Sequence, residues 1–136
     1  MDPKSCITID REWDIVKARQ LAREMAKKIG FGTVDQARIA TTVSELARNI
    51  YLYAEKGELC YEIVEQAETV YKKGLLLLIQ DKGPGIADLR KVMQDGYSTS
   101  GGLGAGLPGA KRLMDQFDIQ SEVGKGTKIT TTKWLR

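Results

Sequence analysis

The stretch that most restricts the possible folds is residues 75–79, an unbroken run of five aliphatic side chains. Such a run is typical of a strand that is buried on both faces at the centre of a sheet. It is far too short to cross a membrane. We therefore expect a sheet built around this strand.

Shorter patterns predict four more strands, at residues 6–9, 59–64, 119–123 and 127–135. The segment 59–64 alternates with period two, so one face is clearly apolar. The turn Gly124-Lys125-Gly126 joins the last two strands as a hairpin.

Two long helices are predicted before residue 57. The first runs from Asp10 as N-cap to Gly30 as C-cap, and we expect Trp13 to anchor it in the core. The second begins at Thr33, where Gln36 three residues later completes a capping-box pattern. Gly57 ends this helical region.

Two more helices are expected downstream, a short one over residues 88–93 and one that follows the glycine-rich stretch. Apolar side chains at helical spacing define the latter: Leu107, Ala110, Leu113, Met114 and Phe117. The fold class is therefore α+β, a two-layer sandwich with a mixed, mostly antiparallel sheet and helices on one face. Residues 1–136 are expected to form a single domain.

The composition excludes several kinds of site. The chain has no histidine, so histidine metal ligands, imidazole bases and Ser-His-Asp triads are ruled out. Cys6 and Cys60 are too few for a disulfide framework, and we expect no metal-ligand partners near them. The net charge is +3 without a basic run, which predicts no nucleic-acid partner. Because the amino terminus lacks an apolar signal segment, we expect a soluble, cytoplasmic protein without membrane contact.

The second helix carries the first chemical motif. Its core-facing stripe consists of Val43, Leu46, Ala47 and Ile50. Glu45 and Asn49 are four residues apart, so they lie on one face away from that stripe and can share a cation or a water. In isolation, such a pair is more often a solvated helix face.

The central strand leads directly into the motif Asp81-x-Gly83-x-Gly85-Ile86. An acid at the end of a buried strand can accept a hydrogen bond from the exocyclic amine of a ligand. The glycines let the backbone turn sharply and allow a flat ring to approach it. Alone, this hexapeptide is also compatible with an ordinary tight turn.

Residues 95–109 are rich in glycine and small hydroxyl side chains and enter a predicted helix. A helix N-terminus offers unpaired N–H groups and a positive dipole end to phosphates. A Rossmann site needs its glycines directly after a strand, which is not the case here. A Walker loop needs Gly-Lys-Ser/Thr, whereas this chain has Gly109-Ala110-Lys111.

Four motifs in order resemble the N, G1 and G2 boxes, with the following threonine, of the Bergerat (GHKL) ATP-binding fold. They are Glu45-x-x-x-Asn49, Asp81-x-Gly83-x-Gly85, Gly102-x-Gly104-x-Gly106 and Gly126-Thr127. The small size and the absence of a histidine dimerisation helix resemble the anti-sigma-factor-type serine/threonine kinases. Within these, the chain closely resembles the switch kinases of the bacterial stressosome, through residues 12–16, 31–38, 44–53, 98–109 and 133–136. The resemblance covers essentially the whole chain.

The resemblance implies ATP and Mg²⁺ as cofactors. Asn49 would ligate Mg²⁺ through its amide oxygen, and Glu45 would be the general base that deprotonates the attacking hydroxyl. Asp81 would accept from the adenine amino group, and Thr127 would support the adenine from the neighbouring strand.

The resemblance also implies which backbone segments contact the nucleotide. Gly83, Gly85 and Ile86 would lie against the purine. The phosphates would be wrapped by the second glycine box and its neighbours: Gly102, Leu103, Gly104, Ala105, Gly106 and Leu107. Residues from about 86 to 101 would form a lid.

One departure from the family concerns the phosphates. Some related kinases place an arginine just before the G2 glycines, where this chain has Ser100, and residues 97–109 contain no lysine or arginine. The transition-state charge would then be met by Mg²⁺, backbone N–H groups and Arg48 or Lys111. We hypothesise that turnover is slow unless the substrate protein completes the site.

The implied function is phosphorylation of STAS-domain stressosome proteins that hold the kinase until stress. Phosphorylation would add about two negative charges at the interface and release the kinase. The released kinase would bind and activate a metal-dependent (PPM-type) protein phosphatase of a sigma-factor cascade. One alternative is a non-catalytic module that acts by sequestration, with nucleotide as a structural ligand. Another is an ATPase of the chaperone or gyrase type, for which a transducer domain would be expected after Arg136.

Overall fold

A computed structural model describes residues 4–54, 56–67, 71–86, 93 and 106–136. Its five strands form one sheet in the order β1-β2-β3-β5-β4. They are β1 (Lys4–Ile9), β2 (Gly57–Ala67), β3 (Tyr71–Asp81), β4 (Gln116–Glu122) and β5 (Gly126–Trp134). Every pairing among these strands is antiparallel. The predicted α+β class is confirmed, and the aliphatic run lies in β3, the middle strand.

The described helices are α1 (Glu12–Ile29), α2 (Thr33–Asn49) and α3 (Gly106–Leu113). A π-helical segment, Ile50–Ala54, continues α2 directly. The predicted helix at 88–93 lies outside the described residues, apart from Met93. None of the helices within the described ranges is long and apolar enough to cross a membrane.

The core lies between the helices and one face of the sheet. Odd-numbered strand residues point towards it, and they include Leu59, Tyr61, Leu75, Leu77, Ile79 and Ile129. Tyr61 fixes the distance between the layers, because its hydroxyl donates a 2.6 Å hydrogen bond to the Ala18 carbonyl on α1. Burial raises the pKa of Tyr61 above its ordinary value. The even-numbered residues form the opposite, outer face of the sheet.

The stripe predicted on α2 is confirmed, since Val43, Leu46, Ala47 and Ile50 are all buried. Gly30 is the C-cap of α1, as predicted, with a φ of 117°. Glu45 differs from the expectation of a solvated face, because the α2 residues from 42 to 47 are buried on all sides. Its carboxylate lies inside the protein.

Four local expectations are wrong. The N-cap of α1 is Arg11, because the Asp14 carboxylate reaches back to the N–H groups of Asp10 and Arg11 at 3.0 and 2.9 Å. The N-cap of α2 is Gly32, so Thr33 is already helical, and the amide of Gln36 donates to the Phe31 carbonyl at 2.8 Å instead.

The other two corrections concern aromatic residues. Trp13 is 65% exposed, because the buried stripe of α1 follows Ile15, Ala18 and Ala22 on the opposite side of the helix. Phe117 belongs to β4, because α3 ends at Leu113 and the N–H of Asp115 already bonds to β5 through the Thr132 carbonyl.

The cysteines also depart from expectation. Cys6 on β1 and Cys60 on β2 lie directly opposite each other and are joined as a disulfide on the outer face of the sheet. Glu58 brings a carboxylate to the same place, so a metal-ligand partner does lie nearby.

Candidate functional site

The buried end of α2 holds an ion pair between Glu45 and Arg48. Glu45 Oε1 and Arg48 Nη1 are 3.2 Å apart, and the side chains are 8% and 38% exposed. A carboxylate this deeply buried needs a charge partner, and the arginine one turn further on supplies it. The pair involves one carboxylate oxygen, and the other can still accept a hydrogen bond. Arg48, predicted as a candidate phosphate contact, is therefore seen here as the ion-pair partner of Glu45.

Asn49 is the last residue of α2 and is half-buried. It follows Glu45 by one helical turn, and the π-helical segment begins at the next residue. Segments of π-helix occur disproportionately at functional sites. The two polar side chains predicted to act together therefore lie where the helix changes its winding.

A single register row across the sheet brings the other polar groups together. Gly57 of β2, Asp81 of β3, Thr127 of β5 and Ser121 of β4 are successive neighbours in this row. The Asp81 carboxylate accepts a 2.8 Å hydrogen bond from the Gly83 N–H through Oδ1. Its orientation is thereby fixed, and the second oxygen can accept from a ligand.

Ser121 is a site residue that sequence reasoning missed. Its hydroxyl accepts the N–H of Ile86 at 2.8 Å, lies 2.8 Å from the hydroxyl of Thr127 and is 3.1 Å from the Gly126 carbonyl. It therefore ties the turn after β3 to the start of β5. The only sequence signal was its alternation with Ile119, which places it on the same face as Thr127 once the hairpin register is known.

Two glycines allow these segments to meet closely. Gly126 has a φ of +112°, and a Cβ there would overlap the Asp81 carbonyl oxygen. Gly85 has a φ of +78°, and a Cβ there would overlap the Glu122 carbonyl oxygen. Both positions combine a left-handed backbone with contact to a neighbouring strand, so any other residue would separate the strands.

A cavity of about 800 Å³ opens at this end of the sheet, and its volume is in the range of small-molecule sites. Asp81, Ser121 and Thr127 line it together with four lysines: Lys56, Lys82, Lys125 and Lys128. Glu45, Arg48 and Asn49 are not among its described lining residues. The structure therefore brings the predicted site residues together as two clusters, one on α2 and one at the end of the sheet.

The phosphate segment is only partly described. Gly102, Leu103, Gly104 and Ala105 lie outside the described residues, as does the lid at 87–101 apart from Met93. Gly106 and Leu107 begin α3 and are buried, and α3 packs against α2. Lys111 is exposed in the last turn of α3. The N-terminal end of α3 thus belongs to a helix that packs against α2, the helix that carries Glu45 and Asn49.

The opposite end of α3 is anchored by the end of β5. The ammonium of Lys133 donates to the Leu113 carbonyl at 2.9 Å and lies 3.8 Å from the Asp35 carboxylate on α2. Asp115 accepts the Trp134 N–H at 2.7 Å and the Arg136 guanidinium at 2.6 Å. Burial acts to raise the pKa of Asp115, but these donors and Lys133 together hold it below its usual value.

Comparison with known proteins agrees with this architecture. Residues 9–133 match the family model described as the histidine kinase-like ATPase domain. The chain is 62% identical to the serine/threonine-protein kinase RsbT of Bacillus subtilis over 136 residues, all of both chains. It is 31% identical over 105 residues to an anti-sigma F factor of Clostridium acetobutylicum, covering 74% of this chain and 69% of that one.

A solved structure confirms the fold. The mycobacterial sensor histidine kinase MprB superposes with a TM-score of 0.55 over 96% of each chain, at 13% identity. At that identity the likeness concerns the fold alone. The family match and the full-length similarity go further: this chain belongs to the histidine kinase-like ATPase domain family, and within it to the serine/threonine-protein kinases that resemble RsbT.

Proposed function

We propose that this ATP-dependent serine/threonine kinase phosphorylates STAS-domain proteins of a stressosome, and that it activates a PPM-type phosphatase once they release it. The observation that carries the proposal is the position of Glu45. Its side chain is 8% exposed, is paired with Arg48 and stands one helical turn before Asn49. A buried carboxylate with one oxygen still able to accept suits a general base more than a surface charge.

The residues at the end of the sheet fit an adenine ring. The oxygen of Asp81 that does not bond to Gly83 would accept from the adenine amino group, which distinguishes adenine from guanine. Thr127, held by the hydroxyl of Ser121, would support the ring from β5. The close backbone approach at Gly85 would keep this pocket flat.

The residues on α2 and α3 fit the phosphates and a divalent cation. Asn49 would offer a hard amide oxygen to Mg²⁺, which prefers such ligands and retains several waters. Gly102, Leu103, Gly104, Ala105, Gly106 and Leu107 would place backbone N–H groups at the N-terminus of α3 around the phosphates. The cation would neutralise charge that develops on the transferring phosphoryl group. Arg48 and Lys111 remain the candidate side-chain contacts to it.

Glu45 would orient the substrate hydroxyl and take its proton as the bond to phosphorus forms. In the ground state Arg48 would hold the carboxylate in one rotamer. As the carboxylate accepts the proton its charge is lost, and Arg48 becomes available to the phosphates.

The partner-switching part of the proposal involves a protein surface. Trp13 is 65% exposed in the first turn of α1, and exposed tryptophans often anchor protein interfaces. Together with the lid, α1 is therefore the surface that we assign to STAS proteins and to the phosphatase. We propose a cytoplasmic location for the kinase and for these partners.

The test uses Mg²⁺, γ-labelled ATP and a recombinant STAS-domain antagonist, with Glu45→Gln beside the wild type. The expected result is label on a serine or threonine of the antagonist, lost by at least a hundredfold in Glu45→Gln while ATP binding is retained. If the Glu45→Gln protein transferred label at the wild-type rate, this result would exclude Glu45 as the general base. Fast ATP hydrolysis without the antagonist would contradict the hypothesis that the substrate completes the site.

The Glu45–Arg48 ion pair also supports a second candidate, a sequestering module in which Glu45 is purely structural. A buried ion pair can hold a helix in place without catalysing anything. For this candidate, Glu45→Gln would lower stability and leave partner binding unchanged, and no label would reach the antagonist with either protein.

A further inference from the structure

The outer face of the sheet carries a thiol cluster that lies apart from the kinase site. Cys6 on the edge strand β1 is exposed, whereas Cys60 on β2 is buried. They are register partners with Cα atoms 4.0 Å apart, and their sulfurs form a disulfide. Glu58 is exposed two residues before Cys60 on the same face, and its Oε1 lies 3.4 Å from the Cys60 sulfur.

The position of Glu58 is informative because a disulfide sulfur carries no proton. The carboxylate can therefore gain nothing from the sulfur in the oxidised pair. In the reduced pair it can accept from the Cys60 thiol, or share a cation with the thiolates. The three potential ligand atoms, two sulfurs and one carboxylate oxygen, all lie within 4.8 Å of one another. Two strands in fixed register hold the three residues side by side, and reduction frees both sulfurs to bind a cation.

We propose that Cys6, Cys60 and Glu58 form a binding site for a soft divalent cation, such as Zn²⁺ or Cd²⁺, when the cysteines are reduced. Thiolates select soft cations, and a carboxylate oxygen with one water would complete four-coordination. Binding releases the two thiol protons, so it strengthens as the pH rises. The disulfide is the alternative state of the same site, because it removes both sulfur ligands at once.

The site is separate from the proposed nucleotide site. Asp81 pairs across the sheet with Gly57, which in turn pairs with Ile9. This row of residues lies three positions along the strands from Cys6 and Cys60, or about 10 Å at 3.3 Å per residue. Asp81 is also an odd-numbered residue of the helix-facing side, whereas the cysteines face outwards. Cation binding would therefore link β1 to β2 without occupying the kinase site, and it does not depend on the kinase activity.

The experiment begins by reducing the purified chain with a water-soluble phosphine. The phosphine and one water convert the disulfide into two thiols and a phosphine oxide, and the excess is then removed. Cd²⁺ is then titrated into the protein, and its binding is monitored by the thiolate-to-cadmium charge-transfer absorption in the ultraviolet. Zn²⁺ is used as a competitor. We expect saturation at one cation per chain for the reduced protein and no band for the oxidised protein.

Variants assign the ligands. Cys6→Ser and Cys60→Ser should abolish the band, with circular dichroism and ATP binding showing that each variant is folded. Glu58→Gln should raise the Kd by about tenfold or more, a cost typical of losing a supporting carboxylate at a metal site. Glu62→Gln is the matched control, because Glu62 is exposed two residues after Cys60 on the same face, and its Kd should not change. Absence of saturable binding, or equal binding by Cys60→Ser, would overturn the site.

Discussion

The Glu45 carboxylate and the Arg48 guanidinium form an ion pair 3.2 Å long, in which the glutamate is buried and the arginine is partly exposed. The arginine can therefore be exchanged without opening the core. Its removal would leave the buried carboxylate without a cationic partner.

Arg48→Gln should therefore lower the rate of phosphotransfer. The reason is that the Glu45 carboxylate loses the contact that holds its orientation, and a misplaced catalytic group reacts more slowly. Initial rates of label transfer to the antagonist measure the loss. Arg38→Gln is the matched control, since Arg38 pairs with Asp35 on the same helix at 2.9 Å. Equal rates for Arg48→Gln and wild type would separate this ion pair from catalysis.

Asp81→Asn should weaken ATP binding while keeping the turn intact. The asparagine oxygen can still accept the Gly83 N–H, but the proposed contact to the adenine amine would lose its charge. We expect the Kd for ATP to rise by about tenfold to a hundredfold, since hydrogen bonds to charged groups contribute roughly 1.5–3 kcal/mol. Calorimetric titration gives the value. Asp118→Asn on the outer face of β4 is the control, and an equal effect in both variants would contradict the adenine contact.

The sequence predicted well whatever depends on local periodicity. The stripe of α2 and the spacing of Glu45 and Asn49 follow from 3.6 residues per turn, and β3 follows from its unbroken apolar run. The adjacency of Asp81 and Thr127 is different, because it depends on a strand pairing across 46 residues and β5 enters between β3 and β4. Only the resemblance to a known family placed those two residues in one site.

What the sequence missed are side chains whose role depends on register or on helix phase. Ser121 became part of the site only through its contacts with Ile86 and Thr127. The apolar pattern of the first helix predicts Trp13 in the core, but the phase of α1 is set by its small alanines, which are buried instead. The G2 glycines from Gly102 to Gly104 lie outside the described residues, so their phosphate role stays a prediction.

Gly126→Ala should destabilise the fold more than Gly124→Ala in the same hairpin. Both glycines have positive φ, 112° and 82°, so both substitutions carry the cost of a left-handed alanine, about 1 kcal/mol. A Cβ at Gly124 would meet nothing within 4 Å, whereas one at Gly126 would overlap the Asp81 carbonyl. We expect a total loss of about 2–3 kcal/mol for Gly126→Ala. Urea unfolding measures both, and equal losses would show that the close contact with β3 relaxes freely.

Tyr61→Phe tests the bond that links α1 to the sheet. The buried hydroxyl donates to the Ala18 carbonyl at 2.6 Å, and its removal leaves that carbonyl with only its bond within α1. We expect a loss of about 0.5–1.5 kcal/mol in the free energy of unfolding at neutral pH. The pKa of Tyr61 is raised on folding, so the wild type should lose stability as the pH rises above about 10, the ordinary tyrosine value. If Tyr61→Phe lost stability in that range as steeply as the wild type, another group would be responsible.

Asp115→Asn tests the anchor of α3 through its pH dependence. The pKa of Asp115 is lower in the folded protein than its ordinary value of 3.8, because its hydrogen bonds and cationic neighbours outweigh its burial. The carboxylate therefore stabilises the fold above the ordinary pKa, and this contribution is lost as the pH falls through the lowered folded value. At neutral pH the variant should be less stable by about 1–3 kcal/mol, the range for a hydrogen bond that involves a charged group.

Urea unfolding of wild type and Asp115→Asn from pH 7 to pH 2.5 should show the two stabilities converging below about pH 3.8. The exposed Asp118→Asn serves as the control, and a difference for Asp115→Asn that stays constant to the lowest pH would mean that its charge does not hold α3 in place.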